Sequence, residues 1–318
     1  MKIVSELKGG SLSCTKIIER NGKSYVRKSV STELNREYGL VRWQSQIRKQ
    51  QILERILGDS VATICEVGVD GDAFYFDMPF MCGGVNCVAA LESGVSVQLL
   101  ADRLVNLLDK LSQFKFKATK GSMSVFIAEE VRGPLQKARL MLDGCTILSE
   151  HEKQVLERKI IEVEKTAQKY IKTYSEVVVQ ESLSHGNMTL ENLLWDHESG
   201  NLVIIDPYAE TYCDNINGDY SQLLQSAESG YEFVGKLYEN NEYFDLFKYP
   251  NEKIPAFFKV MSEELKSRAQ KCDWYDEQLS HIFHAAQFIR MFPFKANHNL
   301  RHAYGFLGHG MDIIKRGE

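Results

Sequence analysis

Apolar alternation and turn signals organise the first third of the chain. Lys2–Leu7 is a short, partly alternating stretch, followed by Gly9-Gly10. Thr15–Glu19 and Ser24–Val30 flank Asn21-Gly22, two residue types that tolerate positive φ, so the spacing predicts a tight hairpin. The period then changes. Across Thr32–Leu57, Leu34, Tyr38, Val41, Ile47 and Ile52 recur at helical spacing. A second strand pair, Ile64–Val69 and Ala73–Met78, is expected across Asp70-Gly71-Asp72, and proline and glycines punctuate Met78–Gly84. The remainder reads as helices over Val95–Phe114, Met123–Leu142, Glu150–Tyr174, Asp219–Leu237, Pro255–Gln270, Trp274–Phe292 and Leu300–Lys315. One β-rich island, Leu193–Trp195 and Leu202–Ile205 about the turn at Gly200, interrupts them. The pattern is α+β: a small β-rich lobe over residues 1–82 and a larger, mainly helical lobe over 83–318.

A chain of 318 residues can bury a sizeable core, and 44% hydrophobic with 25% charged residues is an ordinary globular balance. The formal net charge of −5 argues against sequence-independent binding to nucleic acid, which needs a basic surface. No stretch approaches the ~20 apolar residues of a membrane span, and the N-terminal residues show no signal-like run. Seven cysteines without a Cys-x-x-Cys pair read as reduced thiols, so a cytoplasmic location is expected.

The candidate chemistry lies between Ser182 and Tyr208. His185-Gly186-Asn187 precedes a loop, Asn192 follows five residues after Asn187, and the apolar run Leu202–Ile205 delivers Asp206 at its end. An acid at a strand end and an amide on a neighbouring loop suit Mg²⁺, which takes one or two oxygens from side chains and the rest from phosphates and water.

This segment resembles the catalytic and metal-binding loops of the aminoglycoside phosphotransferase and choline kinase group, relatives of protein kinases. There the pattern runs His-Gly-Asp, four residues, Asn, then a hydrophobic strand ending in Ile-Asp; here Asn187 stands in place of the Asp. The resemblance spans roughly residues 1–225 in matching order and implies a bilobal protein-kinase-like fold using ATP and Mg²⁺. By the same resemblance, His185, Asn187, Asn192 and Asp206 form the catalytic set, with Asn192 and Asp206 holding the metal. Lys28 then grips the α/β-phosphates, oriented by Glu37. Gly9, Gly10, Ser11 and Ser13 belong to the phosphate-covering turn, and Pro79, Phe80 and Met81 to the hinge that offers main-chain groups to adenine. Asp219 matches a downstream Gly-Asp element that buttresses the catalytic loop. β alternation puts Lys28 on the face of Val26 and Val30, with Arg27 on the other.

The implied reaction is phosphorylation of a hydroxyl on a small molecule, with a sugar or amino-sugar preferred by resemblance. Charge does not choose the acceptor. Glu210–Asp245 holds eight acids against Lys236, whereas Gln287–Arg316 is basic. Pairs at His281/His284 and His298/His302 have metal-compatible spacing, but no third ligand is suggested. A neutral amide at position 187 cannot accept a proton, which leaves three readings: an inactivating substitution, a slow enzyme, or a pseudokinase that binds nucleotide as a structural ligand. A protein Ser/Thr kinase is a further alternative, against which no long activation segment separates Asp206 from Asp219.

Overall fold

The computed structural model describes residues 2–7, 13–31, 36–116, 118–240 and 245–317, with 36–38 as backbone alone. The chain forms two compact units, one from Met1–Gly94 with His185–Thr211, the other from Val95–Ser184 with Tyr212–Glu318.

In the first unit, strands β1 (Lys2–Leu7), β2 (Cys14–Arg20), β3 (Lys23–Ser31), β4 (Glu66–Asp70) and β5 (Ala73–Pro79) form an antiparallel sheet. Its order is β1-β2-β3-β5-β4. The β2–β3 hairpin closes with Arg20 opposite Lys23. Asn21 and Gly22 both take positive φ (52° and 72°), the two-residue turn that matches strand twist. Val26 and Val30 of β3 pack with Phe76 and Met78 of β5 under Trp43 and Ile47 of helix α1 (Arg36–Leu57). Lys28 shares that parity and pairs with Phe76. Arg27 goes to the other face, where Nε and Nη2 donate to the two oxygens of the fully buried Asp77 at 2.8 and 3.0 Å. Its guanidinium also lies 3.5 Å from the Tyr75 ring centre.

A second sheet joins β6 (Gly84–Asn86), β7 (Leu193–Asp196) and β8 (Leu202–Ile204) in the order β8-β7-β6. The expected two-strand island thus gains a strand from a stretch that read as punctuation. Gly84 can run there because a Cβ at that position would meet Met81 Sδ at 2.6 Å. Asn86 then caps α2 (Cys87–Glu92), its Oδ1 accepting from Ala89 N at 2.9 Å. On the other edge Val61, just past α1, bridges Ile204 of β8.

The second unit is helical: α3 (Val97–Ser112), α4 (Ser122–Ile127), α5 (Gly133–Asp143), α6 (Glu150–Tyr174), α7 (Ile216–Ala227), α8 (Tyr231–Glu239), α9 (Ala256–Ala269), α10 (Glu277–Ile289), α11 (Phe292–Ala296) and α12 (Leu300–Arg316). A capping box at Ser149 and Glu152 starts α6 where the pattern placed it. The single helix expected over Asp219–Leu237 is instead two. Gly230 takes φ +52°, and a Cβ there would meet Ile254 at 2.8 Å, so the chain turns between α7 and α8. The helix expected from Trp274 begins only at Glu277, after Asp276 accepts from Leu279 N at 2.8 Å. No helix among the described residues is long and apolar enough to cross a membrane.

Three histidines of this unit, His284, His302 and His309, pack against its aromatic and polar side chains. His302 stacks on Tyr238 with centroids 5.0 Å apart. His309 stacks on Tyr249 at 3.6 Å, and its Nε2 meets Ser229 Oγ at 2.9 Å. His284 Nε2 approaches the same hydroxyl at 3.4 Å, with Glu228 3.9 Å from its Nδ1 and Lys266 holding Glu228 at 2.8 Å. Burial outweighs Glu228 and pushes His284 down to about 4. Burial, with His284 and Arg316 nearby, likewise keeps His309 well below its ordinary value. The folded state therefore holds both rings neutral, while the unfolded chain takes up protons below its ordinary histidine value of about 6.5. Stability is full above that value and falls as pH drops, by up to about 1.4 kcal/mol per pH unit for each ring. Urea denaturation should show a plateau above pH ~7 and a decline of about 4 kcal/mol by pH ~5 from the two rings together. His309→Asn should flatten that decline; an unchanged slope would argue against this origin.

Candidate active site

Asp206 sits just past β8, where Ile205 N donates to Asn192 O at 3.0 Å and ties the strand end to the preceding loop. Its φ is +59°, in the left-handed region rare for a residue with a side chain. Pro207 follows, and the proline ring disfavours the right-handed helical conformation for the residue before it. The Asp206 carboxylate receives Lys28 Nζ on Oδ1 at 2.7 Å, and Gln46 Nε2 reaches the same oxygen at 3.5 Å. Lys28 is 12% exposed and Asp206 32%, so the lysine is sheltered while the acid faces solvent in part.

The loop from His185 to Asn192 is fixed by its own main chain. Gly186 takes φ +80°. Tyr208 N donates to His185 O at 2.9 Å, joining the two loops. Asn187 N points to His185 Nδ1 at 3.3 Å, while Asn187 O accepts from Thr189 N at 3.0 Å and from Asn192 Nδ2 at 2.9 Å. The Asn192 amide is thereby oriented with its nitrogen committed, and the oxygen is the end that can meet a cation. His185 is fully buried, and burial together with the Lys49 charge pushes it down to about 3. It is a neutral prop beneath the loop at any physiological pH. The Asn187 side chain is half-buried.

The structure thus gathers Lys28, His185, Asn187, Asn192 and Asp206 within the first unit. Gly9, Gly10 and Ser11 lie outside the described residues, as does the Glu37 side chain, although its backbone opens α1. Ser13 directly precedes β2. Pro79 and Phe80 line a cavity of about 570 Å³ with Lys23, Ser24, Tyr25, Cys65 and Cys82. Tyr25, which pairs with Pro79, has the parity of Arg27, whereas Ser24 has that of Lys28, so the cavity lies at the end of the strands and not on one face of the sheet. Met81 accepts from Gly84 N at 3.2 Å.

Three residues of α1 were missed: Arg42, Gln46 and Lys49. Lys49 Nζ donates to Tyr208 O at 2.7 Å, and the Arg42 guanidinium lies 5.5 Å from the Tyr208 ring centre. Their i, i+4, i+7 spacing shows one polar face, but a solvated helix presents the same spacing.

The donor set fits a metal-bound polyphosphate. Asp206 and Asn192 offer oxygens of the kind magnesium prefers, and Lys28 brings a sheltered cation to the same carboxylate.

No protein-family model matches the chain, and no curated protein matches it. Solved structures do. The chain is similar to a "Putative fructosamine-3-kinase" from Haemophilus somnus 129PT, with TM-score 0.55 and 11% identity over 98% of this chain and 91% of that one. It is also similar to APH(2″)-IIa in its gentamicin complex, with TM-score 0.53 and 12% identity over 98% and 90% of the respective chains. The chain has the protein-kinase-like fold of these structures, the fold its motif order implied.

A Cβ on Gly186 would fall 2.3 Å from Tyr208 O, and φ +80° adds strain for any residue with a side chain. Gly186→Ala should therefore cost about 2 kcal/mol or more, read by urea denaturation. A variant within about 0.5 kcal/mol of wild type would show that the two loops are not tightly joined.

Proposed function

We propose that the chain binds ATP with Mg²⁺ and transfers the γ-phosphoryl group to a hydroxyl of a small molecule, a sugar or amino-sugar being preferred. The observation that carries this reading is the Lys28–Asp206 ion pair at 2.7 Å beside an Asn192 amide oriented by Asn187 O. The neighbours' names support the acceptor class, one being a "Putative fructosamine-3-kinase" and the other a gentamicin-bound phosphotransferase.

Asn192 Oδ1 and Asp206 would hold Mg²⁺, which when bound would neutralise charge on the phosphate oxygens. Lys28 exchanges its contact with Asp206 for the phosphates. Asn187 hydrogen-bonds the acceptor hydroxyl and orients it without taking its proton. Absence of a general base lowers rate by ~10²–10⁴, so turnover is slow. His185 cannot substitute, because it is fully buried and its ring, pushed down to about 3, is a very weak proton acceptor. The same two observations favour the second reading, a nucleotide-binding module without turnover. The seven cysteines are all free thiols, which supports a reducing, cytoplasmic setting.

Calorimetry with ATP should show Mg²⁺-dependent affinity in the wild type and its loss in Asp206→Ala; equal affinity with and without magnesium refutes the site. Asn187→Asp changes an amide to a carboxylate of almost equal volume. It should raise phosphotransfer, or background ATP hydrolysis, by ~10² or more while ATP affinity changes little. Silence of an Asp variant that binds ATP normally, across a panel of sugars, amino-sugars and nucleosides, favours the binding module.

A further inference from the structure

Helix α1 reaches the Asp206–Tyr208 segment with three side chains from one face. Arg42 lies over the Tyr208 ring, Gln46 Nε2 meets Asp206 Oδ1 at 3.5 Å, and Lys49 Nζ donates to Tyr208 O at 2.7 Å. Lys49 is only 7% exposed, an expensive place for an ammonium unless its position matters to the groups around it. Its charge acts on His185, and a Cβ on Gly186 would come within 3.3 Å of its Nζ. Tyr208 is therefore pinned at both its main-chain polar groups. Its N–H is held by His185 O at 2.9 Å and its C=O by Lys49. Asp206 lies two residues upstream, in a backbone conformation that needs such restraint. The far end of α1 is tied to the same strand, because Ala62 N donates to Ile204 O at 3.2 Å.

We infer that Lys49 and Gln46 are positioning residues for the metal–nucleotide site, an assignment that rests on the function proposed above. Lys49 sets the backbone behind Asp206, and Gln46 holds its carboxylate from the helix side. The distinction from Lys28 is functional. Lys28 must leave Asp206 to meet phosphate, whereas Gln46 and Lys49 keep their contacts throughout. The metal then finds the carboxylate already aimed.

The test is ATP affinity by calorimetry, with and without Mg²⁺, on full-length Lys49→Met, Lys49→Arg and Gln46→Met, with melting temperatures measured alongside. Lys49→Met keeps length and packing but removes charge and donor. Mg²⁺-dependent affinity should fall about 10–100-fold, as for other residues that orient metal ligands, while Mg²⁺-free affinity stays within about twofold. Lys49→Arg, which restores a donating cation, should recover part of the loss. Gln46→Met, at a half-buried position, should lose about threefold or more in the same Mg²⁺-dependent component and decides the matter if Lys49→Met does not fold. Folded variants with wild-type magnesium dependence overturn the inference and leave the proposed function intact. A wild-type chain without Mg²⁺-dependent ATP binding overturns both.

Discussion

Both main-chain polar groups of Tyr208 are taken, its N–H by His185 O at 2.9 Å and its C=O by Lys49 Nζ at 2.7 Å, and the geometry around Asp206 depends on that double restraint. A left-handed conformation costs an ordinary L-residue about 1–2 kcal/mol. A hydrogen bond to a charged donor contributes about 1.5–3 kcal/mol, so the Lys49 contact alone offsets the strain. The arrangement also explains Gly186. The space a Cβ would need is filled by Tyr208 O, which lets the two loops approach closely enough to share a hydrogen bond.

Arg27 and Lys28 are neighbours in sequence, yet they do opposite work. Arg27 makes two bonds to a wholly buried Asp77, a third to Asp70, and stacks on Tyr75. Removing it would leave the buried carboxylate with only Arg20, 3.6 Å away, and would cost up to about 3–5 kcal/mol. Lys28 instead meets one oxygen of an acid that is 32% exposed. Water or a phosphate can replace that contact at little loss, because a partly solvated pair is worth about 1 kcal/mol or less. Of the two pairs, only that of Lys28 is easily exchanged, and strand alternation is what assigns the two residues to their separate faces.

The readable parts of this fold are those whose signal is local. Asn21-Gly22 announces its turn, Ser149 and Glu152 announce the start of α6, and the spacing of Asn192 and Asp206 survives as a pair of neighbouring loops. The unread parts depend on distant partners. β6 is three residues long and exists because β7 lies beside it. The break at Gly230 depends on Ile254, which a helical periodicity over Asp219–Leu237 cannot register. Gln46 and Lys49 stand in a helix rich in polar residues, where nothing local separates a side chain that enters a site from one that meets water. The ion pair of Lys28 with Asp206, rather than any sequence-adjacent group, likewise reflects a contact across 178 positions.

Asn187 concentrates the remaining question, and its surroundings narrow the chemistry. The loop from His185 to Asn187 contains no anionic side chain, and burial with the Lys49 charge pushes the His185 ring down to about 3, which makes it a very weak proton acceptor. No residue of this loop can therefore draw a proton from an acceptor hydroxyl before phosphoryl transfer begins. Phosphoryl transfer through a loose transition state does not require that it should. Bond making lags behind bond breaking, so the hydroxyl remains only weakly acidic until the transfer is nearly complete. Its proton can then pass to a phosphoryl oxygen or to water. What the site must supply is alignment and charge. On the function proposed above, Lys28, Asn192 and Asp206 would provide these whether position 187 is acid or amide.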